Sequence, residues 1–182
     1  MSDFDTILRI VTAICAIGGL TGVWLAFRTL KANHDWQRRQ YAMGIFRDWN
    51  DLTADHARAI EEAFPHIRDV DRTTGKRNEI TKEKAKEIYT CSPDNKACWD
   101  LRFNIIELLN HLEFMATAYS QQVADHTIIV DAFKEPLTRW HDILKNFLEV
   151  VEQCEGYRPW NLLEEQVAEW QSVTAKHRKK TA

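Results

Sequence analysis

The sequence predicts an all-α protein, in which a single N-terminal transmembrane helix continues into a cytoplasmic helical bundle. Three observations carry this. Ile10 to Phe27, IVTAICAIGGLTGVWLAF, holds no charged residue. As a helix it would span roughly 27 Å, close to the thickness of a bilayer's hydrocarbon core. Beyond it, apolar residues recur at helical spacing, and the 182 residues include only 6 Gly and 4 Pro.

The first stretch is a poor signal peptide. Its start is acidic (Asp3, Asp5), its apolar run is long, and Trp24-Leu25-Ala26-Phe27 lacks a small-residue exit. A buried core helix this uniformly apolar would be unusual at the head of a polar chain. Basic residues gather after it: Arg28, Lys31, Arg38 and Arg39 are membrane-proximal. The positive-inside rule then leaves the N-terminus outside and the C-terminal domain in the cytoplasm of a cell whose inner membrane is crossed once. The expected divisions are an anchor over 1–30, a helical domain over 31–175 and a basic tail over 176–182.

Within the span, Gly18 and Gly22 form GxxxG, Ala26 extends the line, and Cys15 and Gly19 flank it. Small residues four apart share a helix face and let two backbones approach, which suits a homo-oligomer or a partner helix. Membrane lipid is the other expected partner. The net charge of −3 argues against nucleic acid.

Next comes a helix carrying Ala42, Ile45, Phe46, Trp49 and Leu52, continuous with the span as far as Trp36 suggests. Asn50 to Thr53 is a candidate kink or restart, and Pro65 ends the helix. His66 to Glu79 reads as a polar loop. Gly75-Lys76 there is no phosphate-binding loop, because the earlier glycine, the following Ser/Thr and the strand are missing. A short helix over Thr81 to Tyr89 has Thr81 as N-cap. Ser92-Pro93-Asp94 is read as the start of the central helix, with Ser92 as its cap. Its apolar stripe is Cys98, Leu101, Ile105, Leu108, Leu109, Leu112, Met115, Ala116 and Tyr119. After a turn, Ile128 to Phe133 makes a short segment that Pro136 separates from a helix bearing Leu137, Trp140, Leu144, Phe147, Leu148 and Val151. Gly156 ends it. Asn161 to Glu164 resembles a capping box and opens a last helix with Leu163, Val167, Trp170 and Val173.

Short motifs carry a resemblance: Trp36-Gln37-Arg38-Arg39, Phe46-Arg47-Asp48-Trp49, Leu109 to Phe114, and Trp160 with Trp170. With the N-terminal span, these resemble a bacterial family of uncharacterised single-span membrane proteins, known only as a domain of unknown function. The resemblance implies membrane attachment and a helical cytoplasmic domain, and supplies no reaction. Some small membrane proteins of this shape accompany bacterial antiviral systems.

Chemistry has one candidate cluster, Glu107, Asn110, His111 and Glu113. A di-iron bundle would need two Glu-x-x-His pairs and further carboxylates, which are absent. Glu107 and His111 with a distant histidine would make a single metal site. The plainer expectation is that Asn110 and His111 hydrogen-bond across the bundle and Glu113 pairs with Arg102 or Arg139. Cys91 and Cys98 lack a second pair for zinc and should be reduced in the cytoplasm. Most tryptophans fit core stripes; Trp99 and Trp160, at helix starts, are the candidate partner contacts. The expected role is an oligomerising or partner-recruiting module, not an enzyme and without cofactor. The alternatives are a membrane-disrupting or pore-forming effector and a membrane-tethered metalloenzyme.

Overall fold

The computed structural model describes the backbone of residues 2–70 and 78–180 and the side chains of 18–70 and 78–172. It is all-α, with five helices and no strand among the described residues. They are α1 (Ser2–Ala63), α2 (Lys82–Tyr89), α3 (Lys96–Ser120), α4 (His126–Glu155) and α5 (Asn161–Lys180). Two compact units divide the chain, Met1–Gln40 and Tyr41–Ala182.

In the first unit the described side chains are those of 18–40. Leu20, Val23, Trp24, Phe27 and Leu30 are each more than half exposed. Among the described residues, no helix is long and apolar enough to cross a membrane. Of the predicted span, residues 10–17, Cys15 among them, lie outside the described side chains.

The second unit is a bundle of α2 to α5 with the later part of α1. Its core takes Ile105, Leu108, Leu109 and Leu112 from α3, Phe133, Leu137, Trp140 and Phe147 from α4, and Leu163, Val167 and Trp170 from α5. Fully burying each large side chain contributes about 1.5–3 kcal/mol. The α3 stripe matches its expected spacing, with Cys98 and Leu101 at the edge of the core.

Local chemistry departs from expectation at four places. There is no restart at 50–53: α1 is helical throughout, and the Thr53 hydroxyl donates back to the Trp49 carbonyl at 2.6 Å. The inward face of this part runs Ala42, Ile45, Trp49, Thr53, His56 and Ile60, a 3-4-4-3-4 spacing. Phe46 and Leu52 are left 41% and 53% exposed.

α3 begins later than expected, and its cap is Asn95, whose side chain accepts from the Cys98 amide. Ser92 caps only a turn: its hydroxyl accepts from the Asp94 amide, and its carbonyl accepts from the Asn95 amide at 3.0 Å. Pro136 does not separate two helices. It lies inside α4, where it forgoes one backbone bond, and the buried Phe133, Leu137 and Trp140 on either side hold the helix together. The turn before α4 is closed by Asp125, which caps the amides of Thr127 and Ile128.

Thr81 and Gly156 act as expected. Thr81 accepts from the Lys84 amide, and Gly156 ends α4 in the left-handed region at φ 76°.

Candidate functional site

The four candidate polar residues of α3 lie within two turns of helix, but the structure sends them to different tasks. Asn110 acts across the bundle: its carbonyl oxygen accepts from the indole Nε1–H of Trp160 at 3.0 Å. Trp160 is buried, so it is no exposed partner contact; its ring is a strut between α3 and the start of α5.

Glu113 meets neither arginine. Its two carboxylate oxygens accept from the backbone amides of Leu162, at 3.3 Å, and Leu163, at 2.8 Å. The first turn of α5 leaves amides without intrahelical partners, and a carboxylate from a neighbouring helix satisfies them while complementing the helix dipole. The capping group for α5 is therefore supplied by α3. Burial pushes the Glu113 carboxyl above its ordinary value, and the two amide bonds counter that shift only in part. Arg102 instead lies over the rings of Tyr89 and Trp99, at 4.5 and 5.2 Å, and Arg139 lies over Trp140 at 5.6 Å.

His111 faces α1. Its ring stacks on His56, with centroids 6.2 Å apart and planes 28° from parallel. The Nδ1–H of His56 donates to the Asn104 side-chain oxygen at 2.7 Å, and Phe103 sets its edge against the same imidazole. Burial holds His111 below the usual imidazole range, His56 adds to that, and Glu107 opposes it. Sequence reasoning placed Glu107 and His111 together but missed His56 and Asn104. The available signal was the inward α1 register, which carries His56 four residues before Ile60.

As a metal centre the cluster is incomplete. Among the described residues, no group of three or more His, Cys, Asp or Glu side chains is placed to hold an ion. Cys91, Cys98 and Cys154 are free thiols. Burial, with Cys91 alongside, pushes the Cys98 thiol up to about 11, which suppresses the reactive thiolate.

The remaining expected sites scatter. Gly18, Gly19, Gly22 and Ala26 are exposed on α1. A Cβ added at any of these three glycines would meet nothing within 4 Å, so the chain's own described packing does not demand glycine there. Arg28 lies over Trp24 at 5.3 Å, Lys31 and Arg39 are exposed, and Arg38 is half-buried. Trp99 is 40% exposed.

A second residue missed in the sequence is Asn146. It is buried on α4 and donates to the Ile80 carbonyl at 2.8 Å, while the Ile80 amide donates to Ile143 at 3.1 Å. Together these bonds pin the segment before α2 onto α4. No signal in the apolar pattern separates Asn146 from a solvent-facing Asn.

No curated protein and no solved structure matches the chain. A family model does match, over residues 16–170, which takes in the exposed apolar part of α1 as well as most of the bundle. The chain therefore belongs to the DUF4760 family, a domain of unknown function.

Proposed function

We propose that the protein is a single-pass membrane-anchored helical module that self-associates or recruits a partner beneath the inner membrane. The observation that carries this reading is the exposure of α1 after Gly18. Leu20, Val23 and Phe27 are 72, 71 and 69% exposed within a segment without charge up to Arg28, and Leu30 just beyond it is 68% exposed. Such a run, preceded by the equally apolar residues 10–17, is stable in hydrocarbon and costly in water. Arg28, Lys31, Arg38 and Arg39 follow it, which favours a cytoplasmic C-terminal side.

Self-association is supported by small residues that the chain's own described packing leaves unused. Gly18, Gly22 and Ala26 form one line of a helix, the arrangement that lets two membrane helices pack closely. No observation on the bundle favours a reaction, and no polar stripe marks the described part of the span as a pore lining.

Disulfide crosslinking in native membranes tests the seam. In a Cys15→Ser background, Gly22→Cys should form dimers several-fold more readily than Leu20→Cys, which lies on the other side of the helix. Equal crosslinking at both positions would remove self-association through this face.

A further inference from the structure

The His56–His111 stack has a chemistry that neither packing nor the proposed anchor uses. It is the one place in the described part of the bundle where two imidazoles from different helices face each other. His56 is fixed by its Nδ1–H bond to Asn104, and Asn104 is itself held by donating to the Asp100 carbonyl at 2.7 Å. The pair therefore cannot turn away cheaply when charge arrives. We infer that this stack is an acid-sensitive clasp, which holds the later part of α1 against α3 at neutral pH and loosens it in mild acid.

The physical reason is direct. Neutral imidazoles stack without cost, whereas two imidazolium rings at this separation repel in a half-buried seam. Of the groups that act on His111, His56 faces it from α1 and Glu107 stands on its own helix, one turn away. No titratable group on α2, α4 or α5 acts on it among the described residues. The single Glu107 carboxylate can balance one imidazolium, not two.

The shift of His111 has the matching sign. Its folded value lies below the ordinary 6.5, so the unfolded or released form binds the proton more readily. Stability from this group is present above 6.5 and is lost as pH falls from there toward the folded value. The rest of this segment is held by apolar contact, with Ile45 and Ile60 buried and Phe46 edge-on to Phe133 at 5.9 Å. Trp49 reaches Phe133 edge-on at 5.6 Å, but His56 is the described hydrogen-bonding link from this helix to α3.

Hydrogen–deuterium exchange on the full chain in lipid nanodiscs tests the clasp. After correction for intrinsic rates, lowering pH from about 7.5 to about 5 should reduce protection of residues 41–63 by about tenfold or more, with α4 unchanged. His111→Gln should abolish that pH dependence, as should His111→Phe, which keeps a stacked ring without a proton site. An unchanged pH profile in either folded variant would overturn the proposal. Should both variants fail to fold, titration of the His111 ring signal in the wild-type protein decides. A midpoint below 6.5 coinciding with loss of α1 protection supports the clasp; a midpoint at the ordinary value, or protection indifferent to it, overturns it.

Discussion

The first unit and the second use the same apolar residues to opposite ends. In the bundle, Phe133, Trp140 and Phe147 are 0–2% exposed, whereas Trp24 and Phe27 on α1 are 57% and 69% exposed. The difference lies in periodicity. Bundle helices alternate an apolar face with a charged one, so each finds a protein partner for one side. The stretch through Phe27 is apolar all round, so no single neighbouring face could cover it. On the proposed reading, such a helix is matched to lipid.

Breaking each side of this comparison should give effects of different size and kind. The largest is expected in the bundle: Phe133→Ala removes a ring contacted by both Trp49 and Phe46, and should cost about 3–5 kcal/mol in chemical denaturation. Leu20→Arg on the exposed side should leave the bundle's unfolding unchanged. It should oppose membrane insertion by about 2.5–3.5 kcal/mol, read as a rise in the soluble fraction. A bundle destabilised by Leu20→Arg would mean that this leucine packs on protein.

The smallest effect sharpens the account of the polar cluster. Glu113→Ala should cost about 1 kcal/mol by uncapping α5, with fraying confined to residues after Trp160. The Glu113 carboxyl is raised in the fold, so its proton-linked stability is present below pH 4.5 and is lost as pH rises through the folded value. Glu113→Gln should flatten that part of the stability–pH curve, the opposite limb from the one that His111 governs.

The helix count was confounded in the sequence by Pro136, because a local rule against proline was outweighed by buried neighbours on both sides. The α3 stripe from Ile105 to Tyr119 was legible because burial follows the 3.6-residue period directly. Polar partners were harder. Asn110 was recognised as a cross-bundle residue, but its partner Trp160 was expected outside. Glu113 was matched with a side chain when its actual partners are backbone amides, which have no sequence signature. Asn146 went unseen because the apolar pattern does not separate a buried Asn from a solvent-facing one, and His56 was marked only by its inward register four residues before Ile60.

The central claim is that residues 10–27 reside in lipid. Membranes from cells expressing the full chain should be washed with alkaline carbonate and then with detergent. Retention of the protein through carbonate and release only by detergent is the expected result. Appearance of the full-length chain in the carbonate supernatant would contradict it.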